Sequence, residues 1–243
     1  MHRYLFVLAL GACVPDSGDE GLVILKNVAP GEGCSVLSQE TEVGVTHGAL
    51  SSVFVTQYQF IAQLKSKITA LEGQEDQRIV FTTGANVDLT FPDSTFFSDA
   101  ELDQMKTDGV THFKSLFAAS VFPNGGVADA GFDITTPALY DRIYAKAPHA
   151  KVVGGERFSL EVVATIKVIG TMGGDEVTSQ PFAFPLSISN DRVISVAGTC
   201  PLAAGTELSL GNGCGRYQDV AVTCCSSGTD VVCPATVASM VTN

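Results

Sequence analysis

The spacing of apolar residues along the chain predicts a protein built mainly from β-strands. The clearest strand spans residues 158–169, where one face is formed by Phe158, Leu160, Val162, Ala164, Ile166 and Val168. Because successive side chains of a strand point to opposite faces, we expect these side chains to be buried together. A turn at Gly173-Gly174-Asp175 predicts that residues 177–188 return as the hairpin partner. Pro181 and Pro185 in this return lack backbone N–H groups, which favours an edge strand or a bulge.

Further alternating segments precede this hairpin. Residues 22–28 form an apolar first strand, and residues 78–91 alternate in two halves joined at Gly84, where we expect a bulge. In these halves the predicted inward residues are Ile79, Phe81, Val87, Leu89 and Phe91. A turn at residues 123–126 separates two more strands, whose inward faces are formed by Phe113, Ser115, Phe117, Ala119 and Val121 and by Ala128, Ala130, Phe132 and Ile134.

Residues 54–71 fit two different patterns. In a helix, apolar side chains would recur at intervals of three and four, at Phe54, Tyr58, Ile61, Leu64, Ile68 and Leu71. In a strand, one face would be formed by Tyr58, Phe60, Ala62, Leu64 and Ile68. We favour a long strand, bent or bulged near Ile61, because Ile61 alone breaks the alternation in its central part.

One helix is predicted together with both of its ends. Thr136 can cap it, Pro137 suits its first turn and Pro148 stops it, which gives a helix over residues 137–147. Its apolar stripe consists of Leu139, Tyr140, Ile143 and Tyr144. Such a stripe at helical spacing is typical of a face that packs against a sheet.

These elements together predict the fold class and the domain organisation. About ten strands separated by turn signals indicate an antiparallel β-sandwich, Ig-like and built as one unit or as two packed units. We expect the sandwich to occupy residues 22–195 and to carry one short helix. The composition then shifts to Gly, Ser and Cys, so residues 196–243 are predicted to form an appendage held together by disulfides.

The first residues have the layout of an export signal. His2 and Arg3 are cationic, residues 4–10 are apolar, and a cysteine follows at position 13. Cys13 directly after Leu10-Gly11-Ala12 resembles the lipobox of bacterial lipoproteins, which implies that residues 1–12 are removed and that Cys13 carries lipid. Residues 13–21 would then be the acylated cysteine and a flexible tether. An ordinary signal peptide and a buried first strand are the alternatives.

The balance of charges narrows the range of partners. The chain has 14 basic and 26 acidic residues, a formal net charge of −12, and no cluster of Lys and Arg. Nucleic-acid binding draws its affinity from such clusters, so we expect no nucleic-acid partner. The same charge disfavours docking on anionic lipid, so we expect the membrane to be contacted through the lipid anchor only.

The cysteine count fits an exported, lipidated chain. With lipid on Cys13, the six remaining cysteines can form three disulfides: Cys34, Cys200, Cys214, Cys224, Cys225 and Cys233. Five of these lie in the appendage, so one appendage cysteine must pair with Cys34. We favour Cys200 as that partner, because it lies nearest the end of the sandwich. Cys224 and Cys225 should have different partners, since adjacent residues rarely meet disulfide geometry.

No local motif assigns a catalytic residue or a cofactor, and we expect neither. The histidines beyond the signal are in no zinc-site spacing: His47, His112 and His149. We assign no metal ligand with the spacing of a known motif, although one acidic loop offers candidate calcium ligands at Asp93, Asp99, Glu101 and Asp103. In that loop, Ser98 and Glu101 match a capping box, which predicts one helical turn.

Several segments together suggest a family. The lipobox, residues 27–34, residues 84–89 and the Cys224-Cys225 pair resemble Cys-rich lipoproteins of the myxobacterial type, a family without an assigned activity. The resemblance implies an extracytoplasmic location, lipid-anchored to the cell envelope at the outer membrane. We therefore expect a non-catalytic binding or scaffolding module with an envelope protein or a glycan as partner. The alternatives are an envelope hydrolase acting on glycans and a carbohydrate- or calcium-binding module.

Overall fold

The computed structural model describes residues 21–30, 34, 44–70, 72–73, 78–93, 95–153 and 155–233. The predicted signal, Cys13 and the tether up to residue 20 lie outside the described residues. In chain order the elements are β1 (Leu22–Asn27), β2 (Gly48–Ser51), β3 (Gln59–Ser66), β4 (Val80–Thr90), α1 (Asp99–Thr107), β5 (His112–Ser115), β6 (Ala119–Val121), β7 (Val127–Asp133), α2 (Pro137–Lys146), β8 (Ser159–Met172), β9 (Asp175–Thr178), β10 (Phe182–Ser189), β11 (Ile194–Thr199), β12 (Val222–Ser227) and β13 (Asp230–Val232). None of the described helices is long and apolar enough to cross a membrane.

The described strands form a β-sandwich and a small additional sheet. The smaller sheet of the sandwich has the order β1-β3-β7, and the seven-stranded sheet has the order β2-β10-β8-β4-β5, with β6 also paired to β4 and β9 to β8. All pairs in the sandwich are antiparallel except β2 with β10, which is parallel. The appendage forms a third sheet, β11-β12-β13. The predicted mainly-β sandwich is therefore confirmed.

One continuous hydrophobic core lies between the two sheets. It takes side chains from both sheets and from both helices, so the sandwich is a single packed unit. Phe60 of β3 lies at its centre and contacts Phe132 of β7 and Phe184 of β10, with ring centroids 5.5 and 5.1 Å apart. These rings therefore join the small sheet to the large one.

Strand β8 confirms the clearest prediction from the sequence. All six residues of its predicted inward face are buried, and its backbone pairs with β4 on one side and β10 on the other. The predicted hairpin return is split into β9 and β10. The final part of β10 is not at an edge, because Leu186–Ser189 also pair with β2. Pro185 lies just before that pairing begins, which agrees with the tolerance of proline at an edge.

Strand β3 confirms the strand interpretation of its segment but corrects the position of the bulge. Ile61 pairs regularly with Gly131, whereas the irregularity lies in β1, where Leu25 is the extra residue between Ile24 and Lys26. Ile61 breaks the alternation for a different reason. It is almost fully buried on the outer side of β3, as is Gln63, so this strand is covered on both faces.

The bulge in β4 is confirmed, but the predicted register of its first half is wrong. The pairing with β8 shifts between Thr82 and Gly84, and this extra residue reverses which side of the strand each position occupies. Val80 is therefore buried, and Phe81 is 51% exposed on the outer face. Beyond the bulge, Val87 and Leu89 are buried as predicted.

The helices begin where the sequence predicts. The hydroxyl of Thr136 accepts a hydrogen bond from the backbone N–H of Leu139 and caps α2, and the Ser98–Glu101 capping box opens α1. Helix α1 has nine residues, so it is longer than the predicted single turn. The strand predicted over residues 113–121 is divided into β5 and β6.

Three disulfides hold the appendage, and they correct one predicted pairing. Cys34 bonds to Cys214, Cys200 to Cys225, and Cys224 to Cys233. One appendage cysteine reaches back to Cys34 as predicted, but it is Cys214 and not Cys200. The reason is the path of the chain after Cys214. Residues 217–219 run beside the edge strand β2, which brings the preceding loop to the sandwich.

Candidate binding surface

One edge of the seven-stranded sheet is covered by the appendage. The backbone N–H of Ser51 in β2 donates to the carbonyl of Tyr217, and that of Asp219 donates to the carbonyl of Ala49, at 3.0 and 2.8 Å. The side-chain amide of Gln218 bonds both the N–H and the carbonyl of Gln59, each at 2.9 Å. These contacts close the sandwich on the β2 side, because they connect the edge strand β2 of the large sheet to the first residue of β3, the central strand of the small sheet.

A polar network lies beneath this closure. The hydroxyl of Tyr58 donates to the carboxylate of Asp219 at 2.8 Å and accepts a hydrogen bond from the amide of Asn27 at 3.1 Å. Burial raises the pKa of the Tyr58 hydroxyl and also that of the Asp219 carboxyl. The sequence gives no local signal for this contact, since Tyr58 and Asp219 are 161 residues apart.

The opposite edge of the same sheet consists of β5 and β6. Both strands pair with β4, β5 at residues 85–88 and β6 at residues 80–82. Among the described strands, neither has a ladder partner on its other side. An edge of this kind presents backbone N–H and carbonyl groups that can pair with another chain.

Three large apolar side chains are exposed along this edge, and we call them the edge patch. Phe81 is 51% exposed, Leu116 76% and Phe122 57%. Phe81 lies opposite Ser120 in the β4–β6 ladder, Phe122 follows two residues later, and Leu116 comes directly after β5. A single exposed apolar residue is ordinary, but a group of them at one place is typical of an interaction site.

Gly84 gives the edge patch its shape. Its φ of +154° lies in a region that other residues rarely adopt, and a Cβ atom there would lie 2.5 Å from the carbonyl oxygen of Ser115. The same atom would lie 3.4 Å from the Cα of Leu116. The glycine thus allows the end of β5 and Leu116 to lie close against the bulged strand.

Positive charge adjoins the edge patch on the outer face of the sheet. Asn86 in β4 has Lys114 of β5 on one side and Lys167 of β8 on the other. Both lysines are exposed, and no ion pair joins either of them to a carboxylate in the described part of the chain. The neighbouring Asp88 contacts the imidazole of His112 instead. These two ammonium groups can therefore pair with an anionic group of a partner.

The structure does not bring the candidate calcium ligands together. The Asp93 carboxylate accepts hydrogen bonds from the hydroxyl and the backbone N–H of Thr95, which lower its pKa. The ammonium group of Lys146 lies 2.6 Å from the Glu101 carboxylate and, with the Ser98 cap, lowers the Glu101 pKa to about 2. Asp99 and Asp103 lie on α1. Within the described residues, no three His, Cys, Asp or Glu side chains are grouped as metal ligands.

The three predicted histidines lie in separate places. His47 is 3.6 Å from Glu161, His149 is 3.8 Å from Glu156, and His112 contacts Asp88. The structure therefore does not assemble them into one site.

A small cavity of about 270 Å³ lies between α1 and α2. Its apolar lining includes Phe97, Met105 and Ala145, and Glu101 is its one lining carboxylate. A glycan hydrolase needs two carboxyl groups on either side of the scissile bond. Since this cavity has a single carboxylate that is already held by Lys146, it does not support the hydrolase alternative.

The described part of the chain is thus a disulfide-bonded β-sandwich whose seven-stranded sheet has one edge covered by the appendage and one apolar edge that pairs with no further described strand. No protein-family model matches it, and a comparison with curated proteins finds no match. The sequence pattern does not predict the edge patch, because its alternation places Phe81 on the inward face of the strand. Leu116 and Phe122 were the available signal, since both lie on the outer side of the predicted strand, where polar residues are the norm.

Proposed function

We propose that the protein is a non-catalytic binding module of the cell envelope, held outside the cytoplasm by lipid on Cys13. The observation that carries the binding function is the edge patch, in which Phe81, Leu116 and Phe122 are exposed beside a sheet edge that pairs with no other described strand. Burial of this apolar surface against a partner would be favourable, at roughly 25 cal/mol for each Å² removed from water. The apolar character of the patch favours a protein partner over a glycan.

The disulfides indicate an oxidising, extracytoplasmic environment, because three pairs of this kind rarely persist in the cytosol. The lipobox-like segment ending at Cys13 adds the proposed anchor and, with the resemblance to myxobacterial-type lipoproteins, the outer membrane. Residues 14–20 would then link the lipid to the domain over at most about 25 Å when extended. The sandwich would therefore remain tethered near the membrane, within reach of other envelope proteins.

A photo-reactive phenylalanine analogue in place of Phe81 tests the binding function in intact cell envelopes. We expect irradiation to yield a discrete cross-linked product, because Phe81 would lie against the partner. The matched control is the same substitution at Val152, which is also 51% exposed but lies outside the edge patch. Cross-linking of equal yield at both positions, or at neither, would contradict the proposed surface.

A further inference from the structure

We propose that the partner binds as an added strand: an extended peptide segment pairs with β5 and places a carboxylate opposite Lys114 and an apolar side chain opposite Leu116. This inference rests on the proposed function and specifies how the edge patch is used. It follows from three properties of the edge, namely its open backbone, the alternation of its side chains and its charge.

The backbone of β5 is suited to strand addition. The strand has four residues and contains neither a bulge nor a proline. Among the described strands it pairs only with β4, on one side. Even its inward-facing residues, Phe113 and Ser115, are only half-buried, since β5 lies at the rim of the sandwich. Extended peptides bind such edges through main-chain hydrogen bonds, and alternate side chains give the specificity.

The register of β5 determines which side chains an added strand would contact. Lys114 is paired with Asn86 on the outer face, and His112 lies two residues earlier on the same face. Leu116 lies two residues later and is exposed. Side chains directly opposite one another in neighbouring strands are about 5 Å apart at Cβ. A partner would therefore carry an acidic residue and an apolar residue two positions apart on one face.

The charges on this face favour an acidic segment and disfavour a second copy of this chain. Lys114 and Lys167 have no carboxylate partner among the described residues, so an incoming carboxylate would complete an ion pair. Pairing of β5 with the β5 of a second copy would instead bring the ammonium groups of the two Lys114 side chains onto the same face of the new ladder. Like charges directly opposite one another destabilise a strand pair.

A synthetic peptide provides the test. The probe is an eight-residue, end-capped peptide of alternating Thr and Val in which one face carries Leu, Glu and Leu at alternate positions, so that a Leu lies opposite Leu116 in either strand direction. Binding to the full chain is followed by fluorescence anisotropy, together with amide hydrogen exchange at residues 112–116. We expect saturable binding and slower exchange at β5. The same peptide with N-methyl groups on alternate backbone nitrogens should not bind, because strand pairing needs those N–H groups.

A charge exchange makes the test specific to Lys114. Lys114→Glu should weaken binding of the Glu-containing peptide about fivefold to tenfold and favour a peptide with Lys at that position. Lys106→Glu, an exposed lysine of α1, is the matched control and should leave affinity unchanged. Equal binding of the N-methylated peptide, or no reversal of preference in Lys114→Glu, would overturn the proposal. If no peptide binds while Phe81 still cross-links in envelopes, strand addition fails and the binding surface stands.

Discussion

Removal of the Cys34–Cys214 disulfide, by Cys34→Ser together with Cys214→Ser, is expected to lower the free energy of unfolding by about 5 kcal/mol. This bond joins residues 180 positions apart, so it restricts the unfolded chain more than a short loop would. It also holds the loop that precedes residues 217–219, which cover the edge of β2. Urea denaturation of the wild type and the double variant gives the difference.

The matched control removes the Cys224–Cys233 disulfide, which spans only nine residues. Loop-closure entropy predicts a loss of about 2.5 kcal/mol for that pair, half the effect of the long-range bond. An equal loss in both double variants would show that loop length does not determine the contribution of these bonds. A negligible loss for the long-range bond would contradict its role in holding the appendage.

Phe60→Ala is expected to lower the free energy of unfolding by about 3–5 kcal/mol. Phe60 is fully buried, and its ring contacts rings from both sheets, so truncation leaves a cavity where the sheets meet. Phe81→Ala is the control and should change stability by no more than about 0.5 kcal/mol, because Phe81 is largely exposed. Thermal and urea unfolding measure both effects. A small change in Phe60→Ala, or a large one in Phe81→Ala, would contradict the register of β3 or of β4.

The alternation of apolar and polar residues was sufficient to predict the regular strands. It predicted β8 because this strand has one face in the core over its whole length, so period two is preserved from Phe158 to Val168. It failed at Phe81, although Gly84 was recognised as a bulge. A bulge adds one residue, so the alternation of buried and exposed positions is reversed on one side of the bulge relative to the other. The sequence alone does not show which half of the strand keeps the original alternation.

For contacts between distant segments, the sequence limits the possible partners but does not identify the actual one. Counting thiols required one appendage cysteine to pair with Cys34, yet the choice of Cys214 depends on how residues 217–219 pack against β2. The hydrogen bond between Tyr58 and Asp219 is of the same kind. Each partner is an ordinary polar residue locally, and only the packing of the appendage on the sandwich brings them together.

The candidate binding surface could likewise be predicted from the sequence only in part. Leu116 and Phe122 are apolar residues on the outer side of a predicted strand, which was a readable signal of an exposed patch. The open edge itself could not be predicted, because strand order is determined by tertiary pairing. Only the structure shows that, among the described strands, β5 and β6 end the sheet while β2 is covered by residues 217–219.

We propose that the protein works from a lipid anchor on Cys13, on the outer side of a membrane. Mass spectrometry of the mature protein extracted from membranes tests this claim most directly, with Cys13→Ser as the control that cannot carry the thioether. The account predicts that the first residue is Cys13 and that it is acylated, whereas the control should leave the membrane fraction. Mature protein that retains residues 1–12, or that begins with an unmodified Cys13, would contradict it.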